Sequence, residues 1–379
     1  MKVFSYLFTK YGIPILFVGS IGGGVKLYFN KTWYSFQSVS SAKEFLDANL
    51  PALEKHKSYL EVLQEAKYTV VNKDTSEQVL QNILTQRLFP TRHAQLHYPV
   101  NRMFSGSKAV TFKQQTYTNQ GGKTIKYLEK PTKEDTENLK QACIQALAGT
   151  KPESQFAVPR DNATKENKET FSELSRLREW CTEPKVKHVL ARHKLTLLNT
   201  DENKHEDDTD WKEVIAGGWF KKEGDKKNWE SQTFIKDTST FLGNKKDSNG
   251  IESISDVTEE QIKALKKQCQ VALEKNFERK SFYLTKDFID DIKDGNKPDS
   301  IDEFQEAALF CSKPMSAGDY VKKAMQGIVD EKLDAADKQD YCFVDGKDKP
   351  NDYSEIKTNN PMSGKTFWCA VRMVYDPKK

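Results

Sequence analysis

Four cysteines stand at fixed distances from helix-start signals, and this repetition constrains the chain more than any other feature. Thr132-Lys-Glu-Asp135 and Thr258-Glu-Glu-Gln261 read as capping boxes. In such a box the Thr hydroxyl accepts a backbone N–H and the side chain three residues on reaches back to the cap. Cys143 and Cys269 each follow their threonine by eleven positions. Between cap and cysteine the apolar residues keep helical spacing: Leu139, Ala142, Cys143, Ala146 and Leu147 in one copy, Ile262, Leu265, Cys269, Ala272 and Leu273 in the other. Both cysteines are therefore expected on a buried stripe.

A second helix is expected in each copy, opening at Thr170-Phe-Ser-Glu173 and at Ser300-Ile-Asp-Glu303. Its cysteine, Cys181 or Cys311, again comes eleven positions later, behind an aromatic residue (Trp180 or Phe310). Pro184 and Pro314 stand three residues further on, where a missing N–H and a ring clash stop the helix. A third amphipathic run completes each copy, through Val186, Val189, Leu190 and His193 or through Tyr320, Val321, Ala324, Met325 and Ile328. The fold class implied is mainly α, with two tandem duplicated helical units over residues 131–200 and 258–330.

Each unit holds one cysteine pair, Cys143 with Cys181 and Cys269 with Cys311, and Cys342 with Cys369 makes a third candidate pair. Phe367-Trp368-Cys369 echoes the aromatic-Cys step. Two readings stand. The pairs are disulfide staples in an oxidising compartment, each closing a loop worth about 3–4 kcal/mol in the chain-entropy model, or they are reduced core thiols. Trp180, Phe310 and Trp368 could anchor a partner, but their place beside a buried cysteine favours core packing.

The N-terminus reads as an address. Residues 11–25 are free of charge, with Lys10 and Lys26 at either end able to snorkel. Residues 1–31 are expected to form a membrane anchor helix or an export signal, and Gly19 and Gly23 have the small-xxx-small spacing of packed anchors. Residues 32–130 form a mixed region. Helices are expected over Ser41–Leu50, Leu53–Ala66 and Glu77–Leu88, with a minor β-hairpin between Ala109 and Tyr127. Residues 201–257 read as a charged linker or satellite containing Trp211, Trp219, Phe220 and Trp229. Residues 331–379 read as irregular, closing on an apolar strand-like run from Phe367 to Tyr375.

The cysteines form no CxxC and the six histidines no HExxH; His93 and His97 are spaced i, i+4 but bracketed by Pro90 and Pro99. The acidic run from Asp201 lacks the glycine and the closing Glu of a calcium loop. No nucleophile elbow or protease-like cysteine is present. The sequence thus nominates no catalytic, cofactor-binding or metal-ligating residue. With 59 basic against 55 acidic residues and scattered lysines, nucleic acid is not an expected partner.

Leu139-Lys-Gln-Ala-Cys143, Trp180-Cys181-Thr-Glu-Pro184 and Leu195-Thr-Leu-Leu-Asn199, together with the Gly-rich apolar leader at Gly19 to Gly24, resemble large paralogous families of the haemotropic mycoplasmas. These are wall-less bacteria that live attached to red blood cells. The resemblance implies a membrane-associated protein of unknown biochemical function, engaged in host contact or antigenic variation; with no catalytic constellation in the sequence, the expectation is a non-enzymatic protein whose partner is a host-cell surface or extracellular protein. It brings no catalytic residues. The resulting expectation is a single-pass membrane protein with its body outside, the alternative being a cytoplasm-facing scaffold with reduced cysteines.

Overall fold

The structure, a computed structural model, describes residues 17–19, 25–29, 32–36, 55–87, 114–118, 124–159, 163–279, 302–330, 337–346, 349–362 and 365–376. It is mainly helical with minor sheet. Eleven α-helices occur among the described residues: α1 (Tyr59–Glu65), α2 (Glu77–Thr85), α3 (Lys133–Leu147), α4 (Lys165–Trp180), α5 (Val186–Arg192), α6 (Asp208–Ala216), α7 (Thr238–Leu242), α8 (Glu259–Glu274), α9 (Glu303–Phe310), α10 (Ala317–Lys323) and α11 (Phe367–Val374).

The first helix of each cysteine pair begins where its capping box places it. Thr132 accepts from Asp135 N at 3.2 Å and Thr258 from Gln261 N at 3.3 Å, and both side chains at the third position return the bond. The second helices begin elsewhere than expected. α4 starts five residues before Thr170, because Thr164 takes the N-cap and accepts from Asn167 N. Thr170 then lies buried inside the helix, and its hydroxyl is satisfied by Gln155 Oε1 at 3.1 Å. α9 is capped by Asp302 with Gln305 rather than by Ser300, which lies outside the described residues. Where several Ser, Thr and Asp residues precede an apolar stripe, each is a competent cap. The winner is set by where the stripe meets its packing partner.

A deeper correction concerns the unit itself. Val186, Val189 and Leu190 of α5 do not pack with Cys143 and Cys181; they belong to the core that holds Cys269 and Cys311. One apolar cluster runs from Tyr59 to Cys181 and the other from Val186 to Val374. The repeat therefore has four principal helices, begins near residue 56 and again near 185, and is about twice as long as the motif-rich stretches suggest. In the first copy a short helix, α1, precedes α2, α3 and α4. In the second, α5 precedes α6, α8 and α9.

Backbone hydrogen bonds recur at equivalent places. The first residue of each short helix bonds the end of its own cysteine helix: Tyr59 N to Gly149 O at 3.1 Å, and Val186 N to Lys275 O at 3.0 Å. After each short helix the chain turns through a left-handed residue, Lys67 at φ 64° or Lys194 at φ 62°. It then pairs with the segment following the second cysteine, as Val70 with Thr182 and Leu197 with Ser312. A third, shortened copy follows. Ala317 N bonds Ile356 O at 2.8 Å, Gln326 turns at φ 52°, and Val329 pairs with Tyr375. Val374-Tyr375-Asp376-Pro377 thereby falls in register with Cys181-Thr182-Glu183-Pro184 and Cys311-Ser312-Lys313-Pro314. The Phe367-Trp368-Cys369 echo is consequently out of register by five residues.

Other expectations resolve at the level of single elements. The hairpin forms between Gln114–Thr118 and Thr124–Leu128, while its turn lies outside the described residues. The helix expected from Leu53 begins only at Tyr59, because Ser58 and Glu61 form a capping box and His56–Ser58 instead pairs with Thr150–Pro152. The closing run Phe367–Val374 is a helix and not a strand. All eight residues are buried, so neither a period of two nor one of 3.6 shows in the sequence. Residues 201–257 are not a satellite: Trp211, Trp219, Phe220 and Trp229 sit in the second core. Gly250, at φ 77°, closes this region, since a Cβ there would strike the Phe220 carbonyl oxygen and the Trp229 ring.

Of the anchor expected over residues 1–31, the described parts are Phe17–Gly19 and Val25–Phe29, which pair antiparallel and continue to Thr32–Phe36. The remainder of the anchor, the helix expected over 41–50, and His93 and His97 lie outside the described residues. Among the described residues no helix is long and apolar enough to cross a membrane.

Candidate functional site at the first repeat junction

All six candidate cysteines are brought together in the expected pairs. Cys143–Cys181, Cys269–Cys311 and Cys342–Cys369 are disulfides with Cα–Cα distances of 5.4, 5.5 and 4.9 Å. The first two join the long helix of a repeat to the end of its last helix, and all six cysteines are buried. Their role is structural. Trp180, Phe310 and Trp368 are also fully buried, so none of them offers an exposed anchor.

The surface with chemical character lies where the first repeat meets the second. The end of α2 docks on α4 and α5 there. Gln86 donates to Glu179 O at 3.0 Å, and its own carbonyl lies 2.6 Å from His193 Nε2. His193 Nδ1 lies 2.5 Å from the Tyr320 hydroxyl. A neutral imidazole has one N–H, so these contacts assign it to Nε2, with Nδ1 accepting from Tyr320. Burial, with Arg279, Arg87 and Arg192 nearby, pulls the His193 pKa down to about 3.

Beside this buried histidine opens a cleft of about 590 Å³ lined by α4, α5 and the turns around Tyr68 and Arg87. The chain has only nine arginines among its 59 basic residues. Four of them, Arg87, Arg176, Arg178 and Arg192, line this cleft, with Lys194 beside them. Two are neutralised: Arg87 pairs with Glu179 at 2.7 Å and Arg176 pairs with Glu173. Arg192 instead donates to the neutral Gln86 Oε1 and, at 3.2 Å, to Arg178 O. Burial lowers its pKa to about 10, which leaves it cationic at neutral pH. Among the described residues no carboxylate forms an ion pair with Arg178, Arg192 or Lys194.

Two rings also line the cleft, Tyr68 and His188, 5.5 Å apart, with His188 one turn before Arg192 on α5. His188 is held near pKa 4, first by burial and then by Arg192, Lys187 and Lys185. The sequence offered one unread signal for this site, namely the concentration of scarce arginines at 176, 178 and 192. Arg87 comes from a distant segment and could be placed only by the fold.

Among the described residues, the second junction carries different side chains at the equivalent places. Counting back from Cys-x-x-Pro, Arg176, Arg178 and Glu179 correspond to Glu306, Ala308 and Leu309, and the last two are buried in the second core. Asn359 Nδ2 instead donates to Glu213 O at 2.9 Å, against a Gly217 whose missing side chain leaves it room. Compared with known proteins, the chain matches no family model, no curated protein and no solved structure.

Proposed function

We propose that this chain is a non-enzymatic, membrane-anchored surface protein, tethered by its N-terminal segment with the repeats outside the cell, where it serves host contact or antigenic display. The observation that supports this reading most directly is the pairing of all six cysteines into three disulfides. Such bonds persist in oxidising compartments and are rare where glutathione and thioredoxin hold thiols reduced. The charge-free stretch over residues 11–25 supplies the tether, and the resemblance to haemotropic mycoplasma paralogues points to the same place.

Protease shaving of intact cells, followed by non-reducing mass spectrometry, tests the proposal. Release of repeat peptides carrying the 143–181 and 269–311 linkages is the expected result. A protected body with alkylatable cysteines would instead establish the cytoplasm-facing scaffold.

A further inference from the structure

We infer that the cleft at the first repeat junction binds a small organic anion, a phosphate or sulfate ester of about monosaccharide size. The inference is independent of the membrane reading, since it rests on the cleft alone.

Charge is the first ground. Arg178, Arg192 and Lys194 converge on one concavity, and Arg192 is half-buried with only neutral acceptors bonded to it. Taking a guanidinium out of water with no ion-paired partner is costly, and the nearby Glu179, already paired with Arg87, offsets this only in part. An incoming anion would remove that cost while gaining charge-assisted hydrogen bonds. Guanidinium forks match the paired oxygens of a tetrahedral oxyanion, whereas Lys194 contributes a point charge.

Size and lining are the second. A cleft of about 590 Å³ is larger than a bare oxyanion requires and falls in the range of small-molecule sites. Ser172, Ser175, Tyr68 and His188 line the remainder, a mix of hydroxyl-bearing and ring side chains that suits a hydroxylated body with one apolar face.

The repeat itself provides the third. Both junctions solve the same docking problem, yet the positions of Arg178 and Glu179 hold Ala308 and Leu309 at the second, sealed in the core. Docking one repeat on the next therefore does not require arginine at these places. Among the described residues, arginine holds this position at the first junction and alanine at the second.

The full chain is tested by titration calorimetry with glucose 6-phosphate, glucose 6-sulfate, inorganic phosphate and uncharged glucose. Binding of either ester, absent for glucose and weakened by raising salt from about 0.05 to 0.5 M, is expected. The tighter ester identifies the anion. Inorganic phosphate binding as tightly as both esters would refute the organic body, and no ester binding at about 10 mM would refute the site. Arg178→Met and Lys194→Asn (asparagine tolerates the left-handed turn) should each weaken ester binding about tenfold at unchanged melting temperature, with Arg178→Lys partly restoring it. Undiminished affinity in both variants overturns the assignment. In NMR titrations the His188 pKa should rise on saturation with the bound ester, because an anion offsets the cations that depress it; an unmoved His188 places the ligand elsewhere and overturns it too.

Discussion

The two complete repeats share a backbone plan but are held together by different means. The first packs Leu80, Ile83, Leu84, Leu139 and Leu177 around a single tryptophan, Trp180. The second buries Trp211, Trp219, Trp229 and Trp368 with Phe220, Phe304 and Phe310, and Phe234 stacks on Phe310 at 4.9 Å. Aromatic side chains bury more area each than aliphatic ones. The same disulfide therefore sits in a sparse core in one copy and a dense core in the other. The lesson is that the repeat specifies connectivity, while stability is set locally by what each copy buries. In tandem arrays stability is approximately a sum of unit and neighbour terms, so the two copies can differ without the plan failing.

The largest expected effect tests the ionic side of the first junction. Arg279 bonds Asn82 across the junction through its backbone N–H, while its guanidinium pairs with Asp302 at 3.0 Å and lies over the Phe277 and Phe304 rings. Asp302 is fully buried and also caps α9. Asp302→Ala should cost about 3–5 kcal/mol, since it removes the buried carboxylate paired with Arg279 together with the cap of α9, and chemical denaturation measures the loss. A cost below about 1 kcal/mol would mean that the second core does not depend on this pair.

The cysteine pairs sharpen the contrast. Removing Cys143–Cys181 or Cys269–Cys311 by double alanine substitution should cost about 3–4 kcal/mol in either case, as the loops are of similar length. The consequences should differ. Without Cys143–Cys181 the first repeat should lose hydrogen-exchange protection over α1 to α4 while α8 and α9 stay protected. Without Cys269–Cys311 the aromatic core should keep its helices protected. Preferential loss from the second repeat in both variants would invert the comparison.

Acid should act on the first junction more than on the second. The folded pKa of His193 lies near 3, below its ordinary value of 6.5. As pH falls below 6.5 the unfolded chain takes up a proton that the folded chain refuses, so the stability present at neutral pH is lost progressively toward pH 3. Between pH 7 and pH 5 this contributes about 2 kcal/mol. The equivalent place in the third copy, just before the left-handed Gln326, holds Met325, which does not titrate. Urea midpoints at the two pH values should converge by that amount in His193→Gln relative to the unaltered chain. An identical pH dependence in both would show that His193 titrates in the fold as it does in the unfolded chain.

Much of this architecture was legible because capping and cysteine spacing are local. The starts of α3 and α8, the three cysteine pairs and the hairpin all follow from residues a few positions apart or from repeated offsets. The unit boundary was not legible in the same way. Val186, Val189 and Leu190 have a helical stripe, but a stripe does not say which neighbour covers it, and α5 belongs with the helices that follow it. Phe367–Val374 was misread because full burial erases periodicity. The cleft was invisible for a related reason: Arg87 and Arg192 are far apart in sequence, and only the docking of α2 on α5 brings them to one place.

The smallest effect bears on whether the two copies are the same piece of architecture. Thr132 and Thr258 cap the long helices with the same pair of reciprocal bonds, although Asp135 returns the bond in one and Gln261 in the other. An N-cap hydroxyl replaced by alanine typically costs about 1 kcal/mol. Thr132→Ala and Thr258→Ala should therefore each lower stability by about that amount, and by equal amounts within the error of a denaturant titration. The comparison is informative because the two helices share their apolar stripe and cysteine but meet different cores, aliphatic behind α3 and aromatic behind α8. Equal costs would show that the cap acts as an autonomous local device, copied intact while the cores diverged. A cost confined to Thr132 would mean that the second core holds α8 in place without help from its cap.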